Sequence, residues 1–155
     1  MQVVTRELIA HVSAEALLNP RLRKNYNIHP SDESHCHRLL NAIEPDSYIR
    51  PHRHLDLEKD EAFILLNGRL AVVTFTAAGE VAEKVVLSYT SGNFAVDIPH
   101  GVYHTALSLE SGTVFYETKA GPYRPLKEEE KALWAPEDSD PQAHSFLMQL
   151  RGLFD

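Results

Sequence analysis

The chain has one cysteine, Cys36, in 155 residues. An internal disulfide is therefore excluded, and a reducing compartment is expected. No apolar run approaches the length of a membrane span. Positive charge is in deficit: 15 lysines and arginines face 22 aspartates and glutamates, a formal net charge of −7. Nucleic acid and anionic membranes both want a basic face, so neither is expected as a partner. The opening residues MQVVTRELIAHVSAEALL lack a basic start followed by an apolar stretch. No signal peptide is read there, and a cytoplasmic location is expected. Internal repeats and low-complexity segments are also missing. What is present is 43% hydrophobic residues, enough to build the core of one globular domain. Nine histidines are present, seven of them between His29 and His104.

The histidines gain meaning in the stretch Tyr48 to Gly68, YIRPHRHLDLEKDEAFILLNG. His52 and His54 stand two residues apart. On a strand, residues i and i+2 share a face, so both imidazoles point the same way and Arg53 points the other. Glu61 opens the next strand-like run, from which its carboxylate can lie beside them. A fourth donor, His104, follows a Pro99-x-Gly101 turn where a new strand would begin. Three imidazoles and one carboxylate on rigid strands suit a divalent transition metal: manganese, iron, nickel, cobalt or zinc. The alternative is a buried polar cluster held by hydrogen bonds. That is weaker, because a cation would satisfy all four groups at once.

Thr5 to Leu18 reads as a helix capped by Thr5, with Leu8, Ile9, Val12, Leu17 and Leu18 on one stripe, and Asn19-Pro20 ends it. Residues 20–30 are basic and read as irregular: either a solvated linker or an arm across the barrel mouth that brings Arg21, Arg23 or His29 near the site. From His37 to Lys119 the pattern is β. The expected strands are Arg38–Ile43, Tyr48–His54, Glu61–Leu66, Arg69–Thr76, Val81–Leu87, Phe94–Ile98, His104–Leu109 and Thr113–Lys119. Asn67-Gly68 and residues 77–80 are read as hairpin turns. Lys127 to Leu133 is a short charged helix candidate. Asp140-Pro141 reads as the start of a last helix, with Phe146, Leu147, Leu150, Leu153 and Phe154 on its apolar face. The fold class is all-β, a jelly-roll β-barrel with short N- and C-terminal helices. It is one domain: residues 1–35 are helix and arm, 36–120 the barrel, and 121–155 a helical extension.

Spacing and residue type together resemble the cupin superfamily. Its first motif is H-x-H, a short gap, E, six residues, G; its second is P-x-G-x-x-H. Here these are His52-x-His54, Glu61 with six residues to Gly68, and Pro99-x-Gly101-x-x-His104. The gap between His54 and Glu61 is longer than the family's usual one. Glu58 would shorten it but would put the glycine at Leu65, so residues 55–60 are read as a lengthened loop. More narrowly, the chain resembles the WbuC family of cupin-fold metalloproteins. Pro20-Arg-Leu-Arg, Asn27-Ile-His29, Arg38 to Ile43, Arg50 to His54, Gly121-Pro-Tyr123 and Trp134-Ala-Pro136 carry that likeness. It implies a bacterial cytosolic protein with one bound metal per chain, associated with surface-polysaccharide biosynthesis. Pairing of cupin barrels through their sheets implies a homodimer.

The expected function is a metal-dependent enzyme, of isomerase or epimerase type, acting on a small sugar-like or anionic carboxylate metabolite. The alternatives are a non-catalytic sugar-binding cupin and an iron-dependent dioxygenase. Arg50 shares the expected strand face with the histidines. It is a candidate substrate-binding fork, or else a salt-bridge partner. Lys119, with Glu117 on the same face of the last strand, is a second substrate-binding candidate. Tyr48 and Tyr103 are candidate proton donors or wall packing. His35-Cys36-His37 lacks a second ligand pair at zinc spacing and is only a minor metal candidate.

Overall fold

The computed structural model describes residues 1–155. Helix α1 spans Arg6–Leu18, and strand β1 spans Arg23–Asn27. Strands β2 (Cys36–Ile43), β3 (Glu61–Asn67), β4 (Leu70–Phe75) and β5 (Val81–Leu87) follow. Strands β6 (Ala95–Ile98), β7 (Tyr103–Ser108) and β8 (Thr113–Ala120) complete the barrel, and helix α2 spans Ala143–Arg151. All strand pairs are antiparallel, in a five-stranded sheet ordered β1-β2-β8-β3-β6 and a three-stranded sheet ordered β5-β4-β7. No helix is long and apolar enough to cross a membrane.

The two sheets pack face to face, and each carries a helix on its outer side. Period-two alternation decides which residue goes where. On β4, Leu70 and Val72 point inward to Phe63, Leu65 and Phe115, whereas Ala71, Val73 and Phe75 point outward to Leu147 and Leu150 of α2. On β2, Leu40 and Ala42 point outward to Val12 and Ala16 of α1. Leu39, Asn41 and Ile43 of the same strand line the interior. Strands buried on both faces read as near-continuous apolar runs, so the strand pattern was strong in the sequence. Thr5 caps α1 by accepting from Leu8 N–H. Ala16 fills the inner stripe of α1 in place of the expected Leu17 and Leu18, which are exposed.

Five expectations change. The arm at 20–30 is not irregular: residues 23–27 pair in register with β2, from Arg23 opposite Ile43 to Asn27 opposite Leu39. The expected boundary at residue 36 therefore falls inside one sheet. Tyr48–His54 is not a ladder strand. Pro51 has no N–H to donate, and only His52 bridges, exchanging both backbone hydrogen bonds with His104 on one side and facing Lys131 on the other. Asn67-Gly68 is not a hairpin, because β3 and β4 belong to different sheets. The Lys127–Leu133 helix shrinks to a single 3₁₀ turn, Glu128–Glu130. The last helix begins slightly later than expected, with Asp140 accepting from Gln142 N–H one turn ahead of it. The hairpin at 77–80 forms as read, closed by Thr76 N–H to Glu80 O.

Gly68 makes the crossing between sheets. Its φ is +81°, and an added Cβ would lie 2.4 Å from Thr113 Oγ1 and 2.7 Å from Thr113 Cα. Gly92 has φ +76° but open space around it. Gly68→Ala should therefore cost about 3 kcal/mol of unfolding free energy, and Gly92→Ala only about 1 kcal/mol. Equal losses in urea denaturation would mean that the Thr113 contact yields freely.

Candidate metal centre

Three elements bring the polar groups together inside the barrel. The bridged segment around His52 supplies His52 and His54, β3 supplies Glu61, and β7 supplies His104. His52, His54 and Glu61 offer ligand atoms that all lie within 4.8 Å of one another, a cluster that can hold a metal ion. His104 closes the group: its Nε2 is 2.8 Å from Glu61 Oε2. Glu58 is exposed in the loop, whereas Glu61 is 2% exposed, so the lengthened-loop register is the one that places a carboxylate inside.

The imidazoles are oriented from behind. His52 Nδ1 lies 3.1 Å from Arg50 O, and His104 Nδ1 lies 2.9 Å from Val102 O. In each case the ring donates to the carbonyl two residues earlier, which leaves the Nε2 lone pair for the interior. His104 Nε2 is buried and makes no aligned hydrogen bond. An unpaired buried nitrogen costs free energy that a cation would recover. The donor set thus fits a divalent transition ion. His54 Nε2 sits 3.0 Å from Glu61 Oε1, and it would give up its proton to serve as a ligand.

Electrostatics keep His52 and Glu61 in their metal-binding forms. Burial, with His104 close by, pushes the His52 pKa down to about 3, so the ring is neutral at pH 7. Burial alone would raise Glu61. The close approach of His104 and His54, and the charge of Lys119, outweigh it and hold the carboxyl well below the ordinary range. Lys119 Nζ lies 2.6 Å from both Glu61 Oε1 and Glu117 Oε1. Burial disfavours its ammonium, but those two carboxylates reverse the balance and raise its pKa. Glu117 Oε2 in turn accepts from Asn41 Nδ2 at 2.5 Å.

His52, Glu61, His104, Asn41, Glu117 and Lys119 line a cavity of about 500 Å³. Lys119 and Glu117 face it, as their strand alternation implied. The other substrate and proton-donor candidates do not. Arg50 donates through Nε and Nη2 to Ala132 O and approaches Glu137 through Nη1, pinning the C-terminal segment instead. The alternation that put it beside the histidines fails because residues 48–54 are not a regular strand. Tyr48 donates to Pro136 O and packs under α2, and burial raises its pKa. Tyr103 lies under the Arg53 guanidinium and against Trp134. Cys36 and His35 are exposed, while His37 is buried against His29, so the His35-Cys36-His37 run does not gather. His100 pairs with Asp60. Asn25 and Asn27 were missed as wall residues. The signal was the period-two row Arg21, Arg23, Asn25, Asn27, His29, whose alternate neighbours Tyr26 and Ile28 pack under α1.

A family model described as Domain of unknown function (DUF6016) matches residues 4–87. No curated protein matches the sequence. Among solved structures, the TT1209 protein from Thermus thermophilus is similar with a TM-score of 0.54 and 19% identity, over 77% of this chain and 97% of that one. KdgF from Halomonas sp. is similar with a TM-score of 0.53 and 18% identity, over 69% and 85%. The SPY1581 protein of unknown function from Streptococcus pyogenes gives 0.51 and 10%, over 68% and 80%. At these identities the likeness concerns fold alone. The fold is a jelly-roll β-barrel, and the His52-x-His54, Glu61 and His104 positions meet at one site.

Two outcomes follow from this geometry. Glu61→Gln should weaken manganese or zinc affinity by more than the roughly 10–100-fold that loss of an orienting partner costs, while Glu58→Gln leaves it unchanged; calorimetric titration of the metal checks both. In metal-stripped protein, the depressed His52 pKa means that the unfolded chain takes up a proton below its ordinary value of 6.5 while the folded chain does not until about 3. Stability should therefore be full above pH 6.5 and fall by a few kcal/mol as pH drops toward 3. Glu61 adds a loss of the same sign below pH 4.5. His52→Gln should flatten the upper part of that slope, and an unchanged slope in urea melts would refute the assignment.

Proposed function

The chain belongs to the family described as Domain of unknown function (DUF6016), and from that premise we propose a metal-dependent cupin enzyme acting on a small sugar-like or carboxylate metabolite. The observation that carries this reading is the pair His52 and His104. Each is tied back through Nδ1; His104 Nε2 then lies 2.8 Å from Glu61, and His52 belongs to the cluster whose ligand atoms lie within 4.8 Å of one another. Structural polar clusters bond their ring nitrogens to protein; here His104 Nε2 is left open. In this reading His52, His54, Glu61 and His104 hold one manganese, iron, nickel, cobalt or zinc ion, which supplies Lewis acidity toward a carbonyl or hydroxyl oxygen. Lys119 Nζ, held between Glu61 and Glu117, keeps a proton beside that oxygen and offers it as a hydrogen-bond donor.

The finer reading follows the WbuC resemblance. It comprises an isomerase or epimerase step in surface-polysaccharide synthesis, in the bacterial cytoplasm, by a homodimer paired through its sheets. With iron, the same donor set would suit a dioxygenase, the alternative within the enzyme class. A different class, a non-catalytic sugar-binding cupin, is favoured by one observation. Tyr48 and Tyr103 are engaged away from the cavity, and Glu61 and Glu117 are ion-paired with Lys119, so none of these four serves as a free base.

An isomerase or epimerase exchanges a carbon-bound proton with solvent. Metal-loaded protein incubated in D₂O with a panel of aldoses, ketoses and sugar acids should put deuterium into one of them, detected by proton NMR. Chelation should abolish the exchange. Saturable binding with no exchange and no product would establish the binding module instead.

A further inference from the structure

The cavity has a second polar end that the metal ligands do not use. Strand register defines it. Glu61 lies opposite Lys119, and Lys119 lies opposite His37, across β3, β8 and β2. At about 4.8 Å per strand spacing, this row carries the interior about 10 Å from the Glu61 strand to the His37 strand. There the His37 ring stacks on His29, with centroids 4.0 Å apart and planes at 21°. Both rings line the same cavity as His52 and His104.

His29 is 5% exposed, and its hydrogen bonding leaves one atom without a partner. Arg38 N–H donates to His29 Nδ1 at 3.1 Å, so Nδ1 carries the lone pair. Arg38 O, also near Nδ1, already accepts from Ile28 N–H at 2.8 Å. The ring proton is therefore on Nε2, which is buried and has no acceptor in the protein. His37 cannot provide one, because its own Nε2 bonds to Asp32 O at 3.1 Å. Native proteins rarely bury an unpaired donor without a use for it. Beside it, β1 supplies the amides of Asn25 and Asn27, and the turn before β1 supplies the guanidinium of Arg21. Arg23 of β1 is held by Asp138 and Tyr48 O, whereas the Arg21 side chain has no partner in the protein.

Charge adds an independent constraint. The cavity wall carries the acidic side chains Asp32, Glu61 and Glu117 against the cationic Arg21 and Lys119, the wall's Arg23 being paired with Asp138. A divalent ion at the histidines would turn this net negative charge positive, which an anionic ligand would meet.

We propose that His29 Nε2–H, Arg21 and the amide row of β1 form a recognition subsite for a polyhydroxylated carboxylate of the sugar-acid class, whose other end reaches the histidine–glutamate cluster. His29 donates to a ligand oxygen, Arg21 faces the carboxylate, and Asn25 and Asn27 exchange hydrogen bonds with hydroxyls. The N-terminal strand is then the specificity element of the barrel. This assignment rests on the metal-dependent reading above for the far end of the ligand, but its own residues lie outside the ligand set.

Calorimetric titration of metal-loaded protein with D-gluconate, D-galacturonate and the uncharged D-glucitol tests it, with metal content measured in parallel for every variant. At least one sugar acid should bind about tenfold or more tightly than glucitol. Arg21→Gln should remove that preference while metal content and folding stay unchanged. His29→Gln, with His29→Phe as a packing control, should weaken both charged and uncharged polyols about tenfold, as expected for loss of a buried hydrogen bond. Equal affinity for gluconate and glucitol, or binding of none of the three, would overturn the proposal. So would unchanged affinities in the Arg21 and His29 variants. Failure of the protein to hold metal, with sugar-acid binding still sensitive to Arg21, would count against the metal-dependent reading and in favour of the subsite.

Discussion

A buried carboxylate is the constraint around which this molecule is arranged. Glu61 is 2% exposed, yet it is held as the anion. An ionised carboxylate in a barrel interior would be prohibitive without compensation. Two elements supply it, His54 from the bridged segment and Lys119 from β8, while His104 of β7 lies 2.8 Å from the second oxygen. Lys119 is secured in turn by Glu117, which accepts from Asn41, and the His104 ring is tied to Val102 O. The two sheets are thus joined through one charge, as well as through the apolar contacts of Phe63, Leu65, Val72 and Phe115.

The layered packing explains how such a polar interior is tolerated. Apolar burial is divided among three clusters, one between the sheets and one under each helix. With α1 and α2 covering the outer sheet faces, one end of the inter-sheet space is free to be polar. The C-terminal segment serves the site from outside. Glu130 accepts from Leu55 and Lys127 N–H, Arg53 N–H donates to Glu130 O, and Arg50 pins Ala132 O. These bonds fix a stretch that Pro51 prevents from joining a ladder, and they hold the two histidines where Glu61 can reach them.

Much of this was legible in the sequence, for identifiable reasons. Strands β2, β4 and β7, buried on both faces, announce themselves as apolar runs, whereas β5 and β6 are largely exposed and β5 was read from the turn at 77–80. The pattern His52-x-His54, Glu61 and His104 was readable because it combines residue type with spacing in two separated places. Residues whose position depends on irregular backbone were not. Arg50 was assigned to the histidine face by an alternation that holds only on a regular strand. Tyr48 and Tyr103 were plausible by proximity in sequence, but their hydroxyls find carbonyls on the C-terminal segment, whose path no local pattern predicts. Strand β1 was hidden by its composition: Arg23, Lys24, Asn25 and Asn27 are poor strand formers, and only pairing with β2 makes them one.

The central claim is that the interior histidines and Glu61 exist to hold a metal ion. Elemental mass spectrometry of the purified protein, beside His104→Ala, tests it most directly. The account predicts close to one transition-metal ion per chain in the unaltered protein and little in the variant, with folding retained in both. Absence of metal from both proteins, even after reconstitution with each candidate ion, would contradict it and leave a barrel whose buried charge is structural.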